Sequence, residues 1–211
     1  MSSSGTATPI YGAIALTGGI ACGKSEVAGI LREQGVPVLD TDAVGHKLLV
    51  PGYAAFEQVL SVFGQGILDE EGAIDRRKLG AMVFADGEAR DRLNAILHPA
   101  IYHETFAWLD EQRATHRHVV AMVPLLYETG ADKRFEKVIV VAADEDIMMR
   151  RMRMRGWTDD EALARMKAQM SLREKVRRAD VVIWNNEDLP SLKARALEAW
   201  LEVTEGKEAT T

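Results

Sequence analysis

The sequence has little cysteine, little proline and few aromatic residues: it contains 1 Cys and 6 Pro, and Phe, Trp and Tyr make up 6% of it. The single cysteine, Cys22, excludes an internal disulfide and a metal site built from several cysteines, which is typical of a reducing compartment. No run approaches the roughly 18 apolar residues that a membrane span needs. No Lys or Arg precedes Lys24, whereas a secretory signal begins with positive charge. We therefore expect a cytoplasmic protein that contacts no membrane.

Positive charge is also scarce over the chain as a whole. There are 26 Lys and Arg against 32 Asp and Glu, a formal net charge of −6. A general nucleic-acid binder relies on many phosphate contacts from a basic surface, so we expect no nucleic-acid partner. The length of 211 residues and the 47% of hydrophobic residues fit one globular domain, with or without an inserted lobe. We expect a monomer or a weak homo-oligomer, with disorder confined to the first and last eight residues.

Short apolar runs alternate with helical patterns near the start of the chain. Residues 10–16 end at glycines and predict a buried strand, residues 24–34 predict a helix, and residues 36–39 predict a second strand. A strand, helix and strand within thirty residues form a βαβ unit, which predicts a parallel sheet with a right-handed crossover. Three later runs rich in valine predict the remaining strands, at residues 118–123, 137–142 and 181–184.

About eighty residues separate the second and third predicted strands, too many for a plain crossover. Helical patterns cover most of them, at residues 44–49, 53–63, 76–84 and 88–113. We interpret this stretch as a helical insertion that supplies a substrate pocket to an α/β core.

A phosphate-binding pattern lies between the first predicted strand and helix. Gly18, Gly23, Lys24 and Ser25 match G-x-x-x-x-G-K-[ST]. The glycines let the backbone approach phosphate closely, so that N–H groups and the start of the helix face the anion. We expect Lys24 to reach the β- and γ-phosphates of ATP and the Ser25 hydroxyl to bind Mg²⁺. Cys22 is expected simply to occupy a variable loop position, the alternative being a thiol whose pKa is lowered at the helix start.

Two carboxylates follow the second predicted strand. A phosphate loop alone does not distinguish switch GTPases, motor ATPases and small-molecule kinases, but the guanine-reading N-K-x-D pattern is absent and the third strand does not end in Asp. Asp40 and Asp42 lie instead at the carboxyl edge of the predicted sheet, where ligands of open α/β folds bind. One acid can cap the following helix and the other can orient or deprotonate an acceptor hydroxyl. We assign capping to Asp40 and chemistry to Asp42.

Basic residues are concentrated late in the chain. Between Arg150 and Arg178 there are ten basic and four acidic side chains, a local charge of +6 that favours a polyanionic ligand. Most of them are expected on a solvated helix face. Arg151 and Arg155 precede Gly156 and the capping signal of residues 158–161, a helix-loop-helix suited to a lid that brings arginine onto the transferred phosphoryl group.

Six segments in order resemble the dephospho-CoA kinase family: ALTGGIACGKS, VLDTDAVGHKLLVPG, RRKLGAMVFAD, LNAILHPAI, VPLLYE and AQMSLREK, over about residues 10–186. The resemblance implies transfer of the γ-phosphate of ATP, with Mg²⁺, to the 3′-hydroxyl of the ribose of dephospho-CoA, the last step of coenzyme A synthesis. It implies an α/β P-loop kinase fold with a three-layer core around a parallel sheet, a helical acceptor insertion and a helical lid. The corresponding segments are a core at about residues 10–42, 117–148 and 179–203, an insertion at about 43–116 and a lid at about 149–178.

The resemblance also implies roles for particular residues. Asp42 is the expected base and an acceptor contact, and Lys24 with Arg151 or Arg155 stabilises the transferred phosphoryl group. His98 and Pro99 line the acceptor side, the alternative being a structural His98 with Pro99 ending one helix and starting another. The expected ATP-binding residues are Thr17, Gly18, Gly19, Ile20, Ala21, Cys22, Gly23, Lys24, Ser25 and Glu26.

The chain departs from the family pattern at a few positions. Ala21 and Cys22 stand where a Gly-Ser pair is common, and Glu26 where Thr is common; none of these changes removes a backbone donor. Trp184-Asn185 stands where the family often has Asp-Asn, so an adenine or ribose contact there is not carried over. Trp108, Trp157 and Trp184 are expected to pack in the core or lid, the alternative being that one of them stacks on adenine.

Two other functions remain open from the residues. A nucleoside monophosphate kinase shares the core, loop and lid, and would prefer UMP, CMP or AMP as acceptor. A nucleotide-dependent switch would bind ATP with little turnover, but it needs neither an acid after the second strand nor a lid of arginines.

Overall fold

Five strands form one parallel sheet in the computed structural model, which describes residues 8–205. The terminal segments for which we expected disorder lie almost entirely outside the described residues. The spatial order of the strands is β2-β3-β1-β4-β5. Their bounds are β1 Ile10–Gly18, β2 Val38–Asp40, β3 Val119–Met122, β4 Phe135–Ala142 and β5 Val181–Trp184.

The strands are apolar because they are covered on both faces. Residues 13–16 of β1 are at most 1% exposed, and all four residues of β3 are buried. In register, Ile14 pairs with Val120 of β3 and with Lys137 of β4. Continuous hydrophobic runs of this kind predict central parallel strands, and the five predicted strands are confirmed to within about two residues at each end.

Nine α-helices accompany the sheet among residues 8–205. They are α1 Lys24–Glu33, α2 Thr41–Leu48, α3 Ala54–Phe63, α4 Arg76–Ala85, α5 Gly87–Arg113, α6 Glu145–Met154, α7 Asp159–Lys167, α8 Leu172–Arg178 and α9 Leu189–Glu205. Helices α1 and α9 pack on each other, α9 lies on β5, and α8 contacts β4 and β1. The α/β fold with helices around a parallel sheet is therefore confirmed.

The chain divides into two compact units. One contains the residues up to Leu39 and those from Glu111 onward, and its core is built from the sheet with α1, α6 and α9. The other runs from Asp40 to Asp110. The second unit has a hydrophobic cluster of its own, formed by Phe56, Val59, Ile67, Ile74 and Leu79.

Helix α5 continues through Pro99. The alternative in which Pro99 ends one helix and starts another is therefore wrong. Proline removes one backbone hydrogen bond from a helix interior, a cost that tertiary packing can offset. Side chains on both sides of Pro99 supply such packing, since Leu93 and Leu97 lie against the hydrophobic cluster of their unit and Leu109 is fully buried.

Within residues 8–205, none of the helices combines the length and the apolar character that crossing a membrane requires.

Candidate functional site

The phosphate loop joins the end of β1 to the start of α1. Gly23 adopts the left-handed conformation at the N-cap of α1, with φ of +95°, and no side chain caps the helix. The first N–H groups of this ten-residue helix are therefore left for a ligand. Together with the positive end of the helix dipole, they form a site for an anion such as phosphate.

Two glycines of the loop lie where a side chain would clash. A Cβ on Gly23 would lie 2.2 Å from Nδ2 of Asn185, and a Cβ on Gly18 would lie 2.1 Å from the carbonyl oxygen of Val141. The neighbour of Gly18 is backbone of β4, which cannot move aside. The pattern therefore needs glycine here for close packing as well as for backbone conformation.

Ala21 is also left-handed, with φ of +58°. This conformation costs a residue with a Cβ roughly 1–2 kcal/mol. Ala21 therefore keeps its backbone N–H but adds conformational strain that a glycine would avoid.

The side chain of Lys24 folds back over the loop. Its Nζ donates to the carbonyl oxygen of Gly19 at 2.8 Å and to that of Gly18 at 3.4 Å. Ser25 and Glu26, which follow on α1, are exposed. The ammonium is thus held at the loop that the sequence predicts for phosphate.

Cys22 is part of the core rather than a reactive group. It is fully buried, and its Sγ lies 3.3 Å from Sδ of Met148. Burial raises the pKa of the Cys22 thiol despite the nearby Lys24 ammonium. The expectation that Cys22 merely occupies a loop position is confirmed, and the alternative of a lowered thiol pKa is wrong because desolvation of the thiolate outweighs the positive charges.

Arg151 and Asn185 form hydrogen bonds with backbone carbonyl oxygens of the phosphate loop. Arg151 of α6 donates to the carbonyl oxygen of Ala21 at 3.3 Å and to the backbone and side-chain oxygens of Asn185 at 3.0 and 3.2 Å. Asn185, directly after β5, donates from Nδ2 to the carbonyl oxygen of Cys22 at 2.8 Å. Asn185 is buried and stabilises the loop through these hydrogen bonds. The sequence analysis did not identify it as a structural residue of the site. Its signal was an amide directly after a strand of the same parallel sheet as the strand that leads into the loop.

Two cavities border the loop. A cavity of about 160 Å³ lies next to Ala21 and Gly23 and is lined by Arg155, Asn185 and Leu189. A larger cavity, of about 780 Å³, lies next to Gly19 and Ile20; its other walls include Met148, Met166, Lys167, Leu172, Arg173 and Trp184. The cations Arg155, Lys167 and Arg173 have no ion-pair partner within residues 8–205. Each lining also contains two carboxylates, Glu26 and Glu187 in the smaller cavity and Asp144 and Glu145 in the larger one, so both cavities combine cations with acids.

The turn between α6 and α7 is fixed by capping and by an ion pair. Thr158 Oγ1 accepts from the backbone N–H of Glu161, and Glu161 accepts from the backbone N–H of Thr158, a capping box that confirms the predicted signal. Arg153 donates twice to Asp159, at 2.7 and 2.9 Å, and keeps the pKa of that carboxyl below its usual value.

The tryptophans differ in their packing. Trp157 packs against the core and under the guanidinium of Arg165, at 4.4 Å, as expected for a tryptophan in the predicted lid. Trp184, by contrast, is 42% exposed, so core packing was wrong for it.

A buried charge pair anchors α8, the last helix of the segment predicted as a lid. Nζ of Lys175 is 2.9 Å from Oε1 of Glu128 and donates to the carbonyl oxygen of Pro124 at 2.9 Å, while the Lys175 side chain has no exposure. The same carbonyl accepts from Oγ1 of Thr17, which directly precedes the loop, and Glu128 accepts from the backbone N–H of Met170. Sequence reasoning missed this network, although VPLLYE and AQMSLREK end in opposite charges.

The second unit carries the carboxylates after β2. Asp40 is the N-cap of α2 and accepts from the backbone N–H of Asp42 at 2.9 Å, which confirms its predicted capping role. Asp42 is exposed in the first turn of α2. Strand β2, which ends at Asp40, belongs to the same parallel sheet as β1.

His98 lies within α5, beside the ring of Tyr102 at 6.3 Å. Partial burial lowers the pKa of His98, because desolvation disfavours the charged imidazole. A neutral imidazole of this kind can donate one hydrogen bond and accept another.

Comparison with known proteins identifies relatives over most of the chain. A family model described as dephospho-CoA kinase matches residues 12–191. The dephospho-CoA kinase of Geobacillus kaustophilus is 47% identical over 175 residues, 82% of this chain and 87% of the relative. That of Symbiobacterium thermophilum is 44% identical over 189 residues, 89% of this chain and 79% of the relative.

Solved structures of the same architecture cover nearly the whole chain. The dephospho-CoA kinase from Campylobacter jejuni superposes with a TM-score of 0.71 at 27% identity, covering 93% of this chain and 99% of its own. A Thermus thermophilus protein, TT1252, superposes with a TM-score of 0.80 at 35% identity, covering 93% and 98%.

Proposed function

The chain belongs to the dephospho-CoA kinase family, and we propose that it transfers the γ-phosphate of ATP to the 3′-hydroxyl of the ribose of dephospho-CoA, the final step of CoA biosynthesis. The observation that carries this proposal is the continuous family match over residues 12–191. That stretch contains the phosphate loop, the acids after β2 and the basic segment after β4.

The phosphate loop binds ATP, the phosphate donor of the reaction. Residues 17–26 bind the triphosphate of ATP through backbone N–H groups, and the ammonium of Lys24 exchanges its contacts with the Gly18 and Gly19 carbonyls for β- and γ-phosphate oxygens. The exposed hydroxyl of Ser25, at the second residue of α1, is the hard oxygen ligand that Mg²⁺ prefers. Mg²⁺ held by Ser25 would supply positive charge to the β- and γ-phosphates of ATP.

Arginine from the basic segment stabilises the charge of the transferred group. Arg151 donates to loop and Asn185 oxygens, so its first role is to hold the loop in shape. Arg155 lines the cavity beside Ala21 and Gly23 and has no ion-pair partner within residues 8–205. We assign the phosphoryl contact to Arg155 and a positioning role to Arg151.

Asp42 accepts the proton of the acceptor hydroxyl. As the ribose oxygen bonds to the γ-phosphorus, its proton passes to the Asp42 carboxylate and the bond between that phosphorus and the leaving ADP oxygen breaks. Asp42 is exposed and is held at the start of α2 by the Asp40 cap, as this role requires. His98 and Pro99 of α5 complete the proposed acceptor side.

We further propose that the enzyme works in the cytoplasm as a monomer or weak homo-oligomer, with ATP and dephospho-CoA as its partners and without nucleic acid. The net charge of −6 and the single buried cysteine support this setting.

A competition assay tests the proposal. The pure protein is incubated with ATP, Mg²⁺ and each acceptor in turn, and ADP release is measured. Dephospho-CoA is expected to be the best acceptor. Faster ADP release with UMP, CMP or AMP would favour a nucleoside monophosphate kinase instead, and tight ATP binding with no turnover on any acceptor would favour a switch.

A further inference from the structure

An arginine and a histidine meet on the surface of the second unit. Nη2 of Arg76, the first residue of α4, lies 2.6 Å from Nε2 of His46 on α2, and both residues are exposed. A guanidinium only donates, so Nε2 of His46 is the acceptor in this contact. The contact fixes one edge of the Arg76 guanidinium, and its other N–H donors have no hydrogen-bond partner within residues 8–205.

Most basic residues of the second unit lie at or close to Arg76 or His46 in the sequence. Between Asp40 and Asp110 there are twelve acidic and six basic side chains, and four of the six are Lys47 and residues 76–78. Arg76 nevertheless has no carboxylate at ion-pair distance within residues 8–205. The nearby Asp75 carboxylate accepts instead from the backbone N–H groups of Arg77 and Lys78. A fixed guanidinium without an acidic partner is well suited to two-pronged recognition of phosphate.

His46 and Asp42 occupy the same face of α2. They are four residues apart, so their side chains are neighbours on the helix surface and their Cα atoms are separated by about 6 Å along the axis. The imidazole that Arg76 contacts therefore lies one helical turn from the carboxylate assigned to the acceptor hydroxyl. A ribose separates its 3′-oxygen from its 5′-phosphate by a similar span.

We propose that Arg76, held by His46, binds the diphosphate group of the acceptor while Asp42 faces its ribose hydroxyl. This inference rests on the proposed function, because dephospho-CoA carries a diphosphate on the 5′ side of that ribose. It assigns acceptor specificity to the guanidinium: a nucleoside without the diphosphate forms the contact with Asp42 but not the one with Arg76.

The test compares Arg76→Met with Arg77→Met, a matched control whose exposed side chain has no ion-pair partner within the described part of the chain. Calorimetry measures the dissociation constants of dephospho-CoA, adenosine and a non-hydrolysable ATP analogue. Loss of a charge-assisted phosphate contact is expected to weaken dephospho-CoA binding about 10- to 100-fold in Arg76→Met. Adenosine and ATP-analogue binding should be unchanged, and Arg77→Met should match the wild type.

Two outcomes would overturn the inference. If Arg76→Met binds dephospho-CoA as tightly as the wild type does, Arg76 does not contact the diphosphate. Equal weakening of dephospho-CoA and adenosine would make the Arg76–His46 contact a structural link between α2 and α4. Failure of the proposed function is distinct, because wild-type protein would then not phosphorylate dephospho-CoA at all. Arg76→Lys is expected to recover only part of the affinity, since an ammonium lacks the two-pronged fork.

Discussion

At the scale of single residues, the phosphate loop depends on positions where no side chain fits. Gly23 combines a left-handed backbone with contact to the side chain of Asn185, and that amide in turn binds the carbonyl oxygen of Cys22. Gly23 thus determines the backbone conformation and packing of the loop together with the direction of the first N–H groups of α1.

Gly23→Ala is expected to abolish measurable ATP binding, because its Cβ would displace Asn185 and the strained backbone would turn the N–H groups away. The matched control is Gly29→Ala, within α1, where an added Cβ meets nothing within 4 Å. The control should keep ATP affinity and gain roughly 0.5–1 kcal/mol of stability. Titration with a fluorescent ATP analogue, together with denaturant unfolding, measures both; tight binding by Gly23→Ala would contradict the account.

Asp42→Asn is expected to lower kcat by roughly 10² to 10⁴, the range for removal of a general base, with ATP affinity nearly unchanged. The control is Asp40→Ser, which keeps a capping oxygen at the start of α2 and should keep kcat. Steady-state kinetics with dephospho-CoA measures both variants. An unchanged kcat in Asp42→Asn, with a large loss in Asp40→Ser, would move the chemical role to Asp40.

At the scale of secondary structure elements, the basic segment is less uniformly cationic than its composition suggests. Glu174 pairs with both Arg177 and Arg178 on α8, Arg153 pairs with Asp159, and Lys175 is buried against Glu128. The remaining unpaired cations include those that line the two cavities beside the loop. The ion pairs stabilise helices α6 to α8, the segment predicted as a lid, and under the proposed function the cations that line the cavities are available to the ligand.

Lys175→Met is expected to lower the free energy of unfolding by about 3–5 kcal/mol, because it leaves Glu128 partly buried without its cation. The control is Arg173→Met on the same helix, at an exposed position, which should change stability little. Urea unfolding measures both. Equal stability of the two variants would mean that the Lys175–Glu128 pair anchors nothing.

Glu174 makes the stability of α8 depend on acid pH. Hydrogen bonds from Arg177 and Arg178 lower the pKa of its carboxyl from 4.5 to about 2. A carboxylate whose pKa is lowered in the folded state stabilises the fold above its unfolded pKa, and this stabilisation is lost as pH falls from about 4.5 toward 2. Glu174→Gln should therefore lower Tm at pH 7 but leave it unchanged near pH 2. A Tm difference of the same size at both pH values would contradict this assignment.

At the scale of the whole molecule, the sequence predicts those parts of the fold whose pattern lies within one short segment. Hydrophobic runs gave the strands, and local capping patterns gave Asp40 and the Thr158–Glu161 box. The contacts of Lys175 with Glu128 and of Arg76 with His46 could not be predicted, because each joins residues distant in sequence whose partners only the folded chain brings together. Pro99 was ambiguous for the opposite reason: a local signal to end the helix is overridden by packing on either side of it.

The central claim is that the γ-phosphate of ATP moves to one particular hydroxyl. It is tested most directly by the structure of the product: the protein is incubated with ATP, Mg²⁺ and dephospho-CoA, and the product is examined by phosphorus and proton NMR. The account predicts a new phosphomonoester on the ribose 3′-oxygen, formed in equal amount with ADP. A phosphate at another position, or ADP formed without any phosphorylated dephospho-CoA, would contradict it.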